Sequence, residues 1–212
     1  MAEFHGHTSA FWDERYRDEA FVYGETPNEY LAAQRGRLRA GMRALVPGDG
    51  EGRNGVWLAE QGLDVVTVDL SEAGVNKARR LADKRGAHID AIRADLATWA
   101  WPVGEFDVLA AIFLHLPPEI RQPIHRNMLA ALRPGGLLVI EAYRPEHVQY
   151  REKYGSKGGP PQVEMLFSEA MLREDFAGAE VVELESADIE LKEGSNHLGL
   201  GAVVHGVFRR RG

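Results

Sequence analysis

Residues 42–69 read MRALVPGDGEGRNGVWLAEQGLDVVTVD and indicate the fold of this chain. The apolar run 42–46 predicts a β-strand, and 65–68 predicts a second strand that ends on Asp69. Between them, three glycines stand at alternate positions: Gly48, Gly50 and Gly52. A helix is predicted to begin near Arg53, because apolar residues then recur at helical spacing. The stretch therefore predicts a strand, a glycine turn, a helix and a second strand, the unit from which parallel sheets are built.

This unit favours a bound nucleotide. The helix N-terminus presents free N–H groups, glycine lets the backbone approach a ligand closely, and the carboxylate of Asp69 can accept two ribose hydroxyls. The spacing Gly50-x-Gly52-x-x-Gly55 matches the dinucleotide fingerprint. Two simpler interpretations stay open. The glycines also suit an ordinary strand-to-helix turn, and Asp69 also suits a helix N-cap, because residues 69–72 resemble a capping box.

Composition narrows the classes of function. The chain has 25 Lys and Arg against 32 Asp and Glu, so its formal net charge is −7, which argues against a nucleic-acid partner. The basic cluster at 77–85 is predicted to lie on a solvated helix face. The absence of cysteine excludes disulfides, cysteine nucleophiles and thiolate metal sites, and no metal site is predicted.

The sequence gives no reason to expect secretion or membrane insertion. The N-terminus lacks the apolar core of a signal peptide, and the apolar stretch 108–114 is too short to cross a bilayer. We therefore expect a cytoplasmic protein with no membrane partner, as a monomer or weak homodimer.

Residues 1–41 precede the first strand and are predicted to form a helical appendage rich in aromatic residues. A short helix is predicted over 11–16, and another is predicted to start with Pro27 at its first position. The segment either packs on the body of the domain or forms a lid over the nucleotide crevice. In the second case, Trp12 or Tyr23 would line the chamber.

The rest of the chain completes a layered domain over residues 42–212. Further strands are predicted over 88–94, 105–112, 137–143, 181–191 and 200–208, and helices over 71–85, 119–132 and 168–175. The last two strands form an antiparallel hairpin. Residues 133–136 are a turn by their chemistry, and 144–166 lack periodicity, which is typical of functional or disordered segments. The predicted fold is α/β: a doubly wound, Rossmann-like seven-stranded sheet, mostly parallel, with an antiparallel C-terminal hairpin.

Short motifs spread over nearly the whole chain carry a family resemblance. They are Phe11-Trp-Asp-Glu-Arg-Tyr16, Val22-Tyr-Gly24, Val46-Pro-Gly-Asp-Gly-Glu-Gly-Arg-Asn54, Trp57-Leu-Ala-Glu-Gln-Gly62, Val68-Asp-Leu-Ser71, Ala94-Asp-Leu96, Leu132-Arg-Pro-Gly-Gly136 and Glu193-Gly-Ser-Asn-His197. In these motifs the sequence resembles the class I, seven-stranded S-adenosylmethionine-dependent methyltransferases. Within that class it resembles the tellurite-resistance and thiopurine methyltransferase group.

The resemblance implies a cofactor-binding set for S-adenosylmethionine and its product S-adenosylhomocysteine. That set is Trp12, Tyr23, Gly48, Asp49, Gly50, Gly52, Arg53, Asp69, Leu70, Asp95, Leu96 and Ile112. The three alternate glycines would pass under the methionine and ribose. Asp69 would hold the ribose hydroxyls while Leu70 packs on adenine. Asp95 would accept from the adenine amino group and Leu96 would flank the ring, although Asp95 also suits an N-cap of the following turn.

The methionine end of the cofactor is less well defined by the motifs. The class usually has an acidic residue at the end of the first strand, where this chain has Val46 followed by Pro47, as the thiopurine branch does. Backbone carbonyls or Asp49 would replace that acid near the ammonium group. Arg53 is the candidate partner for the methionine carboxylate, and a surface arginine in the first helical turn is the alternative.

The acceptor is predicted to be a small soft nucleophile. Methyl transfer needs a general base only when the nucleophile carries a proton, so a thiolate, or a lone pair on selenium or tellurium as in selenite or tellurite, needs none. Amino-methylating DNA enzymes usually carry Asp/Asn-Pro-Pro-aromatic after the fourth strand, where this chain has 113–118, and arsenite methyltransferases use cysteines. A small-molecule O- or N-methyltransferase, a non-catalytic nucleotide-binding module and an NAD-dependent oxidoreductase remain as alternatives.

Three residues are candidates for contact with the acceptor. Ligands of doubly wound sheets sit at the carboxyl ends of the strands, so His115 and Arg144, which follow strands four and five, should face the crevice. By resemblance, His197 lies near the acceptor, although the arginine that often follows it in the group is replaced by Leu198. A histidine there could orient an anion or take a proton from a thiol. A solvated hairpin-loop histidine is the alternative for His197.

Overall fold

A computed structural model describes residues 8–212 of the chain and contains a single seven-stranded sheet. The strands are β1 Arg43–Pro47, β2 Asp64–Asp69, β3 Asp90–Arg93, β4 Phe106–Ile112, β5 Leu132–Tyr143, β6 Ala179–Glu193 and β7 His197–Arg210. Their order across the sheet is β3-β2-β1-β4-β5-β7-β6. The first five strands are parallel, and β7 runs antiparallel between β5 and β6. The predicted fold class is confirmed.

Seven α-helices accompany the sheet in the described part of the chain. They are α1 Ser9–Arg15, α2 Glu29–Ala33, α3 Arg53–Glu60, α4 Glu72–Arg85, α5 Pro118–Ala131, α6 His147–Tyr154 and α7 Glu169–Asp175, with 3₁₀ turns at Gln34–Arg37 and Val163–Met165. Side chains cap the N-termini of several of these helices, and Ser168, for example, accepts a hydrogen bond from the backbone of α7. The N-cap of α2 is Asn28, so Pro27 precedes that helix rather than occupying its first position. None of the described helices is long and apolar enough to cross a membrane.

The core lies on both faces of the sheet. Side chains alternate along a strand, so Leu45 packs into one apolar cluster while its neighbours Ala44 and Val46 pack into another. Helices cover both faces, which explains why the parallel strands are apolar almost throughout.

Two segments differ from the prediction. Residues 133–136, predicted as a turn, lie inside β5, where the pairing with β4 shifts from Phe106–Leu132 to Val108–Leu137 and leaves them as an irregularity. Residues 144–166 are not structureless: they contain α6 and a bridge between Lys157 and Leu198.

Candidate active site

A cavity of about 490 Å³ lies at the carboxyl ends of the parallel strands. The order of strands reverses between β1 and β4, and doubly wound sheets bind ligands at such a crossing. The volume is in the range of small-molecule sites. Of the predicted site residues, those that line it are Trp12, Tyr23, Gly48, Asp49, Arg53, Asp69, Leu70, Asp95, Leu96, Ile112, His115 and His197.

Three predicted residues lie outside the cavity lining. Gly52 supports the packing of α3 on α4, because a Cβ there would lie 2.6 Å from the Cα of Ala78. Gly50 acts through its N–H, as described below. Arg144 does not face the crevice as expected: side chains alternate along the chain, so Tyr143 lines the cavity and the Arg144 guanidinium pairs with Asp188 instead.

The glycine turn and the end of β2 are joined by Asp69. Its Oδ2 accepts from the N–H of Gly50 at 2.7 Å, and its Oδ1 accepts from the N–H of Ser71 at 2.9 Å. Burial raises the pKa of Asp69 to about 6. The N-cap of α4 is Ser71, so the capping-box interpretation of Asp69 is wrong. Each carboxylate oxygen keeps a second lone pair for a ligand hydroxyl.

Asp49 and Arg53 place a carboxyl group and a guanidinium group at one end of the cavity. Asp49 Oδ2 accepts from the Gly55 N–H at 3.1 Å, while its buried Oδ1 has no partner among the described residues. Arg53 Nη2 donates to Glu193 Oε2 at 2.8 Å, while its buried Nη1 also lacks a partner among them. Burial raises the pKa of Asp49 to about 8. Arg53 is 6% exposed, so the surface-arginine alternative is wrong.

This pair of unpartnered atoms fits the amino-acid part of S-adenosylmethionine. An ammonium group satisfies a carboxylate oxygen, and a carboxylate satisfies a guanidinium N–H. Buried polar atoms without partners are uncommon in folded proteins, and a ligand is one of the explanations for them. The residues present therefore match the cofactor that the motifs imply.

His197 is buried and lies against a carboxylate. Its Nδ1 is 3.0 Å from Glu193 Oε2, and Glu193 Oε1 accepts from Asn28 Nδ2 at 3.0 Å. Burial alone would raise the pKa of Glu193, but the His197 hydrogen bond and the Arg53 charge lower it to about 2. Burial lowers the pKa of His197, so it is neutral and donates from Nδ1 to the ionised Glu193. It is not a solvated loop histidine.

His115 lines the same cavity, but both of its ring nitrogens bind backbone. Nδ1 lies 2.9 Å from the Met165 carbonyl oxygen, and Nε2 accepts from the Tyr143 N–H at 3.2 Å. Burial lowers the pKa of His115 to about 4. Proton exchange with a ligand would require breaking one of these contacts. His115 therefore lines the cavity in a structural role, and it connects β5 to the segment before α7.

Aromatic rings enclose the His197 side of the cavity. The ring centroids of Phe113, Tyr23 and Tyr143 lie 4.4, 4.5 and 5.6 Å from that of His197. Phe113 has a φ of 52°, a left-handed conformation that is rare for a bulky residue and that turns the chain at the end of β4. The Tyr143 hydroxyl is buried without a partner among the described residues. Tyr143 lines the cavity but was not among the predicted site residues. Its position as the last residue of β5 was the sequence signal that could have identified it.

The N-terminal segment is attached to the glycine turn through a buried ion pair. Lys77 Nζ lies 2.6 Å from Glu51 Oε1 and donates to the backbone carbonyls of residues 18 and 20. Glu51 accepts from the N–H groups of Val22 and Tyr23. We call this arrangement the Glu51–Lys77 latch. The prediction that Lys77 lies on a solvated helix face is therefore wrong: the residue is only 1% exposed.

Comparison with known proteins agrees with this geometry. Residues 44–136 match the family model described as a methyltransferase domain. The thiopurine S-methyltransferase of Pseudomonas paraeruginosa is 31% identical over 203 residues, which cover 84% of this chain and 87% of that protein. The chain belongs to the thiopurine methyltransferase-like group of class I methyltransferases. This methyltransferase is S-adenosylmethionine-dependent, so the predicted enzyme class and cofactor are confirmed.

Other matches extend the comparison. Thiocyanate methyltransferase 1 of Arabidopsis thaliana is 30% identical to this methyltransferase over 164 residues, covering 74% of this chain and 67% of that protein. A structure described under the conversion of a disulfide bond into a thioacetal group in echinomycin biosynthesis has a TM-score of 0.74 at 22% identity, covering 96% and 92% of the two chains. The structure of TehB from Haemophilus influenzae has a TM-score of 0.68 at 19% identity, and the match covers 96% of this chain and 67% of that chain. These two structural likenesses show the fold.

Proposed function

We propose that this methyltransferase methylates a small soft nucleophile: a thiol, or a chalcogen oxyanion such as tellurite or selenite. The observation that carries the proposal is the state of His197. Its ring lines the cavity, its Nδ1 donates to an ionised carboxylate, and its Nε2 has no hydrogen-bond partner among the described residues. A neutral imidazole of this kind offers one weakly basic lone pair.

That weak base favours some acceptors over others. The pKa of His197 is lowered by burial, and an ordinary thiol has a pKa of about 8.5, so proton transfer from the thiol to His197 is uphill. An alcohol is far less acidic and would need a much stronger base. An oxyanion of selenium or tellurium has a free lone pair and needs none. The sulfur acceptors in the names of the relatives, thiopurine and thiocyanate, agree with this order.

The cofactor is proposed to occupy the other side of the same cavity. There Asp69 would bind the ribose, Asp95, Leu70 and Leu96 would surround the adenine, and Ile112 would lie against the cofactor. Asp49 and Arg53 would bind the ammonium and carboxylate of the methionine. When bound, S-adenosylmethionine supplies a methyl group activated by its sulfonium. The protein's part is to hold the acceptor in line with that group and to exclude water.

Residues 8–41 are proposed to act as a lid over this cavity. Trp12 and Tyr23 line it, and the Glu51–Lys77 latch ties the segment to the glycine turn. We expect the enzyme to work in the cytoplasm as a monomer or weak homodimer, without a nucleic-acid or membrane partner.

A panel of acceptors tests the proposal. The enzyme is incubated with methyl-labelled S-adenosylmethionine and thiols, selenite or tellurite, alongside alcohols and amines of matched shape, and labelled products are identified by mass spectrometry. The proposal expects labelled product from at least one sulfur, selenium or tellurium acceptor. Methylation confined to oxygen or nitrogen acceptors, or no transfer to any soft nucleophile, would overturn it.

A further inference from the structure

Asn28 lies where the N-terminal segment meets the sheet, and it is only 2% exposed. Its backbone N–H donates at 3.0 Å to Oδ1 of Asn54, in the first turn of α3. Its side-chain nitrogen donates to Glu141 Oε2 at 2.5 Å and to Glu193 Oε1 at 3.0 Å. Its side-chain oxygen accepts from the Leu31 N–H at 2.9 Å. One buried residue therefore joins α2, α3, β5 and the end of β6.

The contacts of Asn28 fix the orientation of its side-chain amide. Both partners of Nδ2 are carboxylate oxygens, which accept, and the partner of Oδ1 is a backbone N–H, which donates. A rotated amide would place its oxygen against two carboxylates and its nitrogen against an N–H. The side chain therefore acts as a double donor between Glu141 and Glu193, while it caps α2 through its oxygen.

Glu193 transmits this constraint to the cavity. Its Oε2 accepts from Arg53 Nη2 at 2.8 Å and lies 3.0 Å from His197 Nδ1. In the described part of the chain, the donor to its other oxygen is Asn28. Glu193 is 8% exposed, so little water is available to replace a lost donor. Without the Asn28 amide, Oε1 would be a buried acceptor with no partner, and the carboxylate would turn to recover one and carry Arg53 with it.

The orientation of Arg53 decides whether its second terminal nitrogen faces a ligand. Nη2 is held by Glu193, and the buried Nη1 has no partner among the described residues. A guanidinium presents its N–H groups in a rigid planar fork, so the direction of one nitrogen sets the direction of the other. A rotation of the Glu193 carboxylate would therefore turn Nη1 away from the place proposed for the methionine carboxylate.

We propose that Asn28 is a positioning residue of the cofactor site, which holds Glu193 so that Arg53 faces the carboxylate of S-adenosylmethionine. Asn28 does not line the cavity, so it acts through Glu193 rather than by touching the cofactor. This inference rests on the proposed placement of the methionine carboxylate at Arg53 and deepens it. Coupling between two contacts is reciprocal, so the bound carboxylate in turn stabilises the N-terminal segment at Asn28.

Two ligands that differ at one end separate this role from general packing. S-adenosylhomocysteine carries the amino-acid carboxylate, whereas methylthioadenosine has the same adenosine and thioether without it. Both ligands are titrated by calorimetry into the full chain, into Asn28→Ser and into two reference variants. Serine keeps an oxygen that can cap α2, but its single short hydroxyl cannot donate to both glutamates.

The two reference variants calibrate the comparison. Tyr30→Phe removes a hydrogen bond of 2.7 Å between the same helix, α2, and Glu183, and Tyr30 does not line the cavity. Both of its Kd values should therefore match those of the parent. Arg53→Lys keeps a positive charge beside Glu193 but loses the fork that holds two carboxylates at once. It should weaken binding of S-adenosylhomocysteine alone.

We expect Asn28→Ser to raise the Kd of S-adenosylhomocysteine about fivefold or more, while the Kd of methylthioadenosine changes less than about twofold. Equal weakening of both ligands, or no weakening of either, would overturn the inference. If Arg53→Lys still weakens S-adenosylhomocysteine selectively, the proposed carboxylate site stands without Asn28. Equal effects of Arg53→Lys on the two ligands would overturn that site, and the inference with it.

Hydrogen exchange on the parent protein tests the same link without a variant. The N–H groups of Asn28 and Leu31 donate to the side chains of Asn54 and Asn28. Their exchange rates are normalised to those of α7, none of whose residues lines the cavity. With either ligand at saturation, the two N–H groups should exchange at least about fivefold more slowly with S-adenosylhomocysteine than with methylthioadenosine. Equal protection by the two ligands would overturn the inference, even if Asn28→Ser does not fold.

Discussion

Replacing Lys77 by methionine is expected to lower the free energy of unfolding by about 3–5 kcal/mol, the loss typical when one partner of a buried ion pair is removed. Lys77 and Glu51 have side chains 1% and 2% exposed, and their charged atoms lie 2.6 Å apart. Lys77 also donates to two backbone carbonyls, so its ammonium uses all three of its donors. The variant would leave Glu51 buried with no opposite charge.

Lys84→Met provides a matched control for burial. Lys84 lies on the same helix and also pairs at 2.6 Å with a glutamate of the N-terminal region, Glu25, but its side chain is 61% exposed. Exposed pairs contribute about 0–1 kcal/mol. The double variant Lys77→Met/Glu51→Gln removes the unpaired charge and should recover part of the loss.

Urea unfolding followed by circular dichroism measures these differences. The prediction requires Lys77→Met to be destabilised by at least about 2 kcal/mol more than Lys84→Met, given the two ranges above. Equal losses in the two variants would refute the argument that the Glu51–Lys77 latch holds the N-terminal segment through its burial.

Two further predictions concern the cavity. The pKa of Asp49 is about 8 in the free protein, and only its ionised form attracts the ammonium group of the ligand. Affinity for S-adenosylhomocysteine should therefore rise by up to about tenfold per pH unit between pH 6.5 and 8, and it should level off above pH 8. Calorimetry on Asp49→Asn should show weak, pH-independent binding in that window; a slope equal to that of the parent would contradict the assignment. His197→Gln should lower kcat/KM for a neutral thiol by about 10²-fold or more while leaving activity on thiocyanate and affinity for S-adenosylhomocysteine near parent values, because only the thiol must lose a proton. A loss of the same size on both acceptors would point to a structural role for His197.

Much of the sheet was predictable because its signals are local. The apolar runs flanking the glycine turn gave β1 and β2 to within a residue, and Asp69 ends β2 as expected. Ser168 caps α7 for the same reason: its hydroxyl binds an N–H three residues away. The hairpin of β6 and β7 followed from two alternating stretches separated by a short polar segment.

The contacts that shape the cavity were not predictable because their partners are distant in sequence. Helical periodicity cannot show that Lys77 is buried, since its partner Glu51 lies on another element. Asn28 joins Glu141 and Glu193, which are 113 and 165 residues away along the chain. Arg144 was placed at the correct strand end, but the direction of its side chain depends on the alternation along β5.

The turn inside β5 shows a different limit. Residues 133–136 have the composition of a turn, and Gly135 has the positive φ of 83° that glycine tolerates. The sheet nevertheless continues through them, because the pairing with β4 resumes at Leu137 after a shift of register. Local chemistry indicated the break in regular pairing, but the predicted turn does not end the strand, because tertiary pairing with β4 resumes beyond it.

We infer that the carboxyl edge of this sheet binds S-adenosylmethionine through Asp69, and calorimetric titration of S-adenosylhomocysteine measures that contact. Asp69→Ala removes charge-assisted hydrogen bonds worth about 1.5–3 kcal/mol each, so two ribose contacts correspond to roughly 10²- to 10⁴-fold in Kd. Asp64→Ala is the control, because Asp64 begins the same strand at the opposite edge and is exposed. We expect tight binding at one site per chain in the parent and the control, and at least about 100-fold weaker binding in Asp69→Ala. An Asp69→Ala protein that is folded and binds S-adenosylhomocysteine as tightly as the parent would contradict it.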